Sequence, residues 1–251
     1  MGVIRHSLFV FVSVLFFISF LLMGIFITIS TSMSYENIKP ELASVVKQMA
    51  EKDMNISETV EDNLILMRNY CENHSDYIFN QGEYEFNISC YSIDKGTEAV
   101  LDEVAGDFSE KVYYEDYDCE FWSCASENKP LFFVSEKAKN YWMNNFYLFL
   151  LISLILFGIM FFLAWNFYKA PIVAGGIMIL VSFLIIKIDS ILISFMDAFV
   201  VNFFYLFFIT SKSVFLWFFV AGIILLATGI LLAIFGTTLF NRLFQGKDEK
   251  Q

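Results

Sequence analysis

The sequence predicts a polytopic α-helical membrane protein with about four transmembrane helices and a small disulfide-bonded α+β domain between the first and the second. Three observations predict this fold class. Of the 251 residues, 57% are hydrophobic and 17% are charged, whereas ordinary soluble domains are about half apolar and about a quarter charged. The apolar residues gather in long runs, and all four cysteines fall in one acidic stretch.

Charge divides the chain into an acidic block and an apolar remainder. Residues 31–145 carry 23 acidic and 9 basic side chains, a net charge of −14, and the rest carries 4 and 7, a net charge of +3. Disorder is excluded because disordered chains lack bulky apolar residues, and the absence of a basic stripe argues against nucleic-acid binding. The acidity is typical of a solvated surface; attraction of cations or of a basic partner is the alternative.

The first apolar run, Leu8 to Ile29, predicts a transmembrane anchor within residues 1–30. Its 22 residues hold no charge and would span ~33 Å as a helix, enough for the ~30 Å hydrocarbon core. A cleaved secretory signal is the alternative, with small residues at Ser30 and Ser32, but the apolar core of such a signal reaches only ~15 residues. We therefore expect a retained anchor.

The second half of the chain predicts a helical membrane bundle over residues 136–251. One helix is expected from Glu136 to Tyr168, with Ser135 as its N-cap and a span near 146–167. Residues 169–171 are expected to form a tight break before an antiparallel partner. The last span is expected near 214–239.

The stretch between these spans is too long for one crossing. Pro171 to Ile209 is a run of 39 mostly apolar residues, or ~58 Å as a helix. We expect a span near 171–188, a bend marked by Lys187, Asp189 and Asp197, and an interfacial or re-entrant segment over 190–209. A fifth crossing is the alternative.

Flanking cations predict the orientation of the spans. With four spans, one side of the membrane receives Arg5, Lys169, Arg242, Lys247 and Lys250. Because Lys and Arg are enriched on the cytoplasmic side, we expect both termini in the cytoplasm and residues 31–135 outside it, in a multi-pass protein of the cell membrane.

Glycines recur every seven residues in the last span. Gly222, Gly229 and Gly236 share one helix face, and Ala233 lies close to it. Small residues let a neighbouring helix approach closely. We expect a packing seam within the bundle; a homo-oligomer interface is the alternative.

The extracytoplasmic block, residues 31–135, predicts a small α+β domain. Helical spacing of apolar residues alternates there with one stretch of strand periodicity, and Asn80-Gln81-Gly82 indicates a hairpin turn. The expected elements are a helix over 38–49, a helix over 56–71 capped near Ser57 or Thr59, a hairpin of 77–79 with 84–90, a helix opened near Thr97, and a short strand over 131–134.

The cysteines predict two disulfides. Four cysteines in an exported block favour bonding in pairs, and we expect Cys71–Cys90 and Cys119–Cys124. A zinc site is disfavoured because two close pairs are needed and Cys71 and Cys90 are far apart. A disulfide-exchange enzyme is the other alternative, but such enzymes commonly use C-x-x-C.

Three glycosylation sequons lie in the same block. They begin at Asn55, Asn73 and Asn87. Sequons arise often by chance, so they agree with an exported face without requiring modification.

Two further patterns are candidates for function. Lys187, Asp189 and Asp197 interrupt apolar sequence and form a candidate ion or substrate path; interfacial placement with a snorkelling lysine is the competing interpretation. Residues 113–118, Tyr-Tyr-Glu-Asp-Tyr-Asp, read either as a surface loop beside the second disulfide or as an exposed recognition patch.

The sequence contains no recognisable catalytic fingerprint, and His74 is the only histidine in the block. We therefore expect no enzyme activity, no cofactor and no metal. The expected function is that of a non-enzymatic cell-envelope protein that presents an extracytoplasmic protein-interaction domain, with membrane lipid and a protein as its partners. A transporter or channel component and a sensor subunit of a membrane complex are the alternatives.

Overall fold

A computed structural model describes residues 2–54, 56–81, 84–126, 130–164, 166–193 and 206–245. The chain divides into two compact units. The bundle unit comprises Met1–Ser32 and Tyr141–Gln251, and the domain unit comprises Met33–Asn140.

The described elements are nine α-helices, one 3-10 helix and one hairpin. In chain order they are α1 (Gly2–Ser32), α2 (Tyr35–Met54), α3 (Ile56–Cys71), β1 (Asp76–Gln81), β2 (Tyr84–Ser89), α4 (Cys90–Lys95), α5 (Thr97–Tyr114), α6 (Phe121–Ser126), a 3-10 helix (Pro130–Val134), α7 (Glu136–Leu163), α8 (Lys169–Ile193) and α9 (Ser211–Gln245).

Four helices of the described part of the chain are long and apolar enough to cross a membrane, as the sequence predicts. Their apolar spans are Ile4–Ser32, Glu136–Leu163, Lys169–Lys187 and Ser211–Phe235. Their mean hydropathy lies between 2.2 and 2.9. These helices are apolar on their outer faces as well as inside, a pattern typical of membrane spans.

The break between α7 and α8 lies earlier than predicted. Helix α7 ends at Leu163 rather than Tyr168, and α8 already begins at Lys169. Pro171 therefore sits in the first turn of α8, where the missing N–H of a proline has no helical partner to lose. The carbonyl groups that end α7 accept hydrogen bonds from Arg5, so the helix stops where a cation satisfies them.

Helix α8 does not end at its charged residues. It continues through Lys187 and Asp189 to Ile193, while its candidate membrane span, Lys169–Lys187, agrees with the predicted span near 171–188. Isolated charges do not interrupt the backbone hydrogen bonds of a helix, and the neighbouring residues are Ile, Leu and Ser. Residues 194–205 lie outside the described part, so the re-entrant segment and the fifth crossing remain predictions.

The core of the bundle unit is an apolar cluster shared by all four long helices. Phe16, Phe20 and Met23 of α1 pack there with Met160 of α7 and Ile185 of α8. Hydroxyl groups add a polar contact, because the buried side chains of Ser19 and Ser153 lie 2.9 Å apart, oxygen to oxygen. Interhelical hydrogen bonds of this kind hold helices together in apolar surroundings.

Helices α8 and α9 approach each other backbone to backbone. A Cβ atom added at Gly222 would lie 3.1 Å from the Gly175 carbonyl oxygen, and one at Gly229 would lie 2.9 Å from the Ile172 backbone nitrogen. Both glycines therefore face α8 of the same chain. The surroundings of Gly236 lie outside the described residues, and Ala233 is partly exposed on α9.

The domain unit packs helices against one face of a two-stranded hairpin. Strands β1 and β2 pair antiparallel, with Phe79 opposite Phe86 and Tyr77 opposite Ile88. These residues pack against Val60, Met67, Ile93 and Val104 of the surrounding helices. The opposite face of the hairpin is solvated, in keeping with the alternation in the sequence.

Several element boundaries differ from the prediction. Residues 130–134 form a 3-10 helix rather than a strand. Strand β2 ends at Ser89, whose hydroxyl accepts a hydrogen bond from the Ser92 backbone and so starts α4 at Cys90. Helix α3 begins at Ile56, ahead of the predicted caps Ser57 and Thr59.

Candidate protein-interaction surface

Both pairs of cysteines are joined in the domain unit. Cys71 at the end of α3 is bonded to Cys90 at the start of α4, with Cα atoms 5.5 Å apart. Cys119 is bonded to Cys124 of α6, with Cα atoms 5.6 Å apart. The first bond ties a helix to the hairpin region, and the second closes a short loop.

The short loop belongs to the acidic aromatic segment, which we define as residues 113–124. Its buried side chains anchor it. Tyr113 donates a hydrogen bond from its hydroxyl to the Met33 carbonyl oxygen, 2.9 Å away. The ring of Tyr117 meets the ring of Phe132 edge to face, with centroids 5.2 Å apart, and Lys137 donates to the Tyr117 carbonyl.

The disulfide fixes the far end of the same segment. Cys124 is fully buried, and Phe121 beside it packs against Phe132 with ring centroids 5.5 Å apart. The segment is therefore held at Tyr113, Tyr117, Phe121 and Cys124. Tyr113 and Tyr114, which were expected in a loop beside the second disulfide, form the end of α5, and the loop comprises residues 115–120.

The side chains between these anchors face solvent. Trp122 is 70% exposed and Tyr114 is 53% exposed, and both are large aromatic residues. Four carboxylates of the same segment are exposed as well: Glu115, Asp116, Asp118 and Glu120. The anchored segment thus presents two aromatic side chains and four carboxylates to solvent.

Two tyrosines at or near the segment, Tyr35 and Tyr113, have raised pKa values. Burial, and then the charge and hydrogen bond of Glu110, raise the pKa of Tyr35 to about 12. Burial, and then the charge of Glu136, raise the pKa of Tyr113 to about 12. The rings of Tyr35 and Tyr113 lie 5.1 Å apart, centroid to centroid. Both phenols stay protonated at neutral pH and act as hydrogen-bond donors.

The candidate ion path is not assembled among the described residues. Lys187 is exposed on α8. The side chain of Asp189 and the whole of Asp197 lie outside the described part of the chain. The structure therefore offers no geometry for transport through these three residues.

Two of the three sequons are on exposed positions. Asn73 lies in the turn after α3, and Asn87 lies on the solvated face of β2; Asn55 is outside the described residues. Among the described residues, no group of three or more His, Cys, Asp or Glu side chains could hold a metal ion.

Sequence reasoning missed two of the features found here. It singled out residues 113–118 as the candidate recognition patch and did not include Trp122, whose exposure the structure shows. It treated Arg5 only as a topology signal, whereas its guanidinium caps α7: Nε donates to the Leu163 carbonyl oxygen at 2.8 Å and Nη2 to that of Phe162 at 2.9 Å.

Comparison with known proteins adds no relative. The chain matches no protein-family model, no curated protein and no solved structure.

Proposed function

We propose that this chain is a non-enzymatic multi-pass membrane protein that binds a protein partner outside the cytoplasm through the acidic aromatic segment. One observation carries the proposal: Trp122 and Tyr114 are held out to solvent, among four exposed carboxylates, on a backbone anchored at both ends. Aromatic residues are enriched where proteins bind each other, and tryptophan and tyrosine are frequent among the residues that dominate binding energy.

Insertion into a membrane is supported by the outer faces of the bundle unit. Leu151 and Leu154 of α7 and Leu216 of α9 are each about 60% exposed, as are many other large apolar residues of these helices. An apolar surface of this extent would promote aggregation if it were exposed to water. The hydrocarbon core of a bilayer would cover it. The four spans then lie across the bilayer.

The location of the domain unit is supported by its disulfides and by the flanking cations. Disulfides persist in oxidising compartments and are rare in the cytosol. Arg5 and Lys169 lie at the two helix ends that this orientation turns to the cytoplasm, in agreement with the positive-inside rule. The domain unit is then presented on the outer side.

The charge of the segment indicates the chemistry of the partner. Four exposed carboxylates within a block of net charge −14 attract a basic surface and speed its encounter with the domain. The partner expected here carries lysines or arginines around a pocket or flat apolar area that receives Trp122.

Photo-crosslinking tests the proposal in membranes of cells that express the chain. A photoreactive phenylalanine analogue at Tyr114 is expected to cross-link one protein. Trp122→Ala in the same chain is expected to lower the yield at least about tenfold, as for a residue that dominates binding. The yield should also fall as salt rises, because exposed charges are screened.

The matched control is Tyr91→Ala, since Tyr91 is 69% exposed on the same domain unit but lies outside the segment. The control should cross-link like the parent chain. Equal yields from the Trp122→Ala and Tyr91→Ala chains, or no cross-linked protein at all, would refute the segment as a binding surface.

A further inference from the structure

An open apolar groove lies between α1 and α8 in the bundle unit. Five residues of α1 between Phe9 and Phe17 line it, together with Val173 and Ile177 of α8. The one polar side chain among them, Ser13, donates its hydroxyl to the Phe9 carbonyl oxygen at 2.8 Å. The lining of the groove is therefore almost entirely apolar.

The size of the groove suits a hydrocarbon chain. Its volume is about 360 Å³. A water molecule occupies ~30 Å³ in the liquid, and a methylene group has a similar volume. The groove therefore has room for roughly a dozen methylene groups. An apolar lining favours contact with hydrocarbon over contact with water.

Cations lie one helical turn beyond one end of the groove. Helices α1 and α8 run parallel, because Phe9 and Val173 line the groove while Gly24 lies against Ile185 farther along both helices. Arg5 and Lys169 each stand four residues before a lining residue, ~6 Å along the axis. Lys169 is exposed, and the Arg5 guanidinium caps α7.

We propose that this groove is a binding site for an anionic phospholipid, with one acyl chain between α1 and α8 and the phosphate beside Lys169. Basic residues at the cytoplasmic end of a gap between membrane helices are typical of anionic headgroup sites. The inference rests on the bilayer insertion proposed above and is independent of the acidic aromatic segment.

Native mass spectrometry of the full chain in mild detergent tests the site. The probes are phosphatidylglycerol and phosphatidylcholine with identical acyl chains. The parent chain is expected to retain one lipid molecule and to prefer phosphatidylglycerol over phosphatidylcholine about fivefold. This is the preference expected from one cation near the headgroup, which contributes about 1 kcal/mol.

Two variants separate the acyl chain from the headgroup. Val14→Trp fills the groove from its open side, since Val14 is 51% exposed, and should lower retention of both lipids. Lys169→Glu should lower retention of phosphatidylglycerol to that of phosphatidylcholine. The matched controls are Leu231→Trp, at a position that is also 51% exposed on α9, and Lys212→Glu; both should behave like the parent chain.

Val10→Trp is a second groove-filling variant, to be used if Val14→Trp does not elute like the parent chain in size-exclusion chromatography. Retention that is unchanged by both groove-filling variants, or equal for the two lipids in the parent chain, would overturn the proposal. Alkaline carbonate extraction tests bilayer insertion separately. If the parent chain resists extraction but both groove-filling variants retain the lipids as the parent chain does, the lipid site is refuted and bilayer insertion is not.

Discussion

The bundle unit and the domain unit differ in where they place their apolar side chains. The bundle unit carries large apolar residues on both its inner and outer faces. The domain unit turns apolar residues inward around its hairpin and exposes carboxylates. In the bilayer proposed for the bundle unit, helices have no hydrophobic reason to associate, so close contact would have to supply the attraction.

The bundle unit supplies close contact through small residues. Gly175, Gly222 and Gly229 bring the backbones of α8 and α9 together, and the Ser19–Ser153 hydrogen bond joins α1 to α7. The domain unit instead relies on burial of side chains from water. Two disulfides add covalent cross-links to this packing.

The largest expected effect comes from removing the long-range disulfide. Replacing Cys71 and Cys90 together by Ser should destabilise the domain unit by about 3 kcal/mol, because the bond closes a loop with a sequence separation of 19. Replacing Cys119 and Cys124, whose separation is 5, should cost only about 2 kcal/mol by the same loop-entropy argument. Pulse proteolysis of the full chain in urea measures both.

The bundle unit serves as the internal control for these variants. Cleavage within its spans should begin at the same urea concentration in all three chains. Two disulfide variants with the same midpoint, or a midpoint unchanged from the parent chain, would show that loop closure does not set the stability of the domain unit.

The next effect tests backbone contact in the bundle unit. A Cβ atom at Gly175 would lie 2.7 Å from the Leu226 backbone nitrogen and 2.8 Å from the Gly222 carbonyl oxygen. Gly175→Ala must therefore push α8 and α9 apart, and overpacking of this kind typically costs about 1–3 kcal/mol. The free energy of unfolding in mixed detergent micelles is the quantity to measure.

The adjacent glycine makes a matched control for this substitution. A Cβ atom at Gly176 meets nothing within 4 Å, so Gly176→Ala should leave stability unchanged or raise it slightly through the better helix propensity of alanine. If both alanines have the same effect, helix propensity rather than interhelical contact governs this region.

The sequence predicted most of the architecture because the signals involved are local. Long apolar runs defined the four long helices, and the alternation after Gly82 defined the hairpin. The expectation for Ser135 also agrees with the structure, since its hydroxyl accepts a hydrogen bond from the Ala138 backbone nitrogen at 3.2 Å. Each of these patterns depends on neighbouring residues alone.

The errors arose where distant residues decide the outcome. The end of α7 at Leu163 depends on Arg5, which lies 158 residues away in the chain. The short run Leu131 to Val134 looks like a strand in isolation, but Phe132 packs against Tyr117 and Phe121 rather than pairing with a strand. The exposure of Trp122 depends on anchors at Tyr113 and Cys124, which periodicity does not reveal.

The last effect is confined to alkaline pH and concerns two tyrosines of the domain unit. Tyr35 and Tyr113 of the domain unit have pKa values raised to about 12, against about 10 in an unfolded chain. A raised folded pKa means that the neutral phenol is favoured by folding. The stability that it contributes is full below pH 10 and is lost as pH rises from about 10 through 12.

Absorbance titration at alkaline pH measures this contribution directly. The folded chain should show a tyrosinate component near pH 12 that disappears in the Tyr35→Phe, Tyr113→Phe double variant, and unfolding in urea should return both groups to about pH 10. The double variant should also lose less stability than the parent chain between pH 10 and 12, because it has no phenol to ionise at these two positions. If the parent chain and the double variant lose the same amount of stability between pH 10 and 12, groups other than Tyr35 and Tyr113 cause the alkaline destabilisation. The two uncharged phenols would then contribute nothing to the stability of the domain unit.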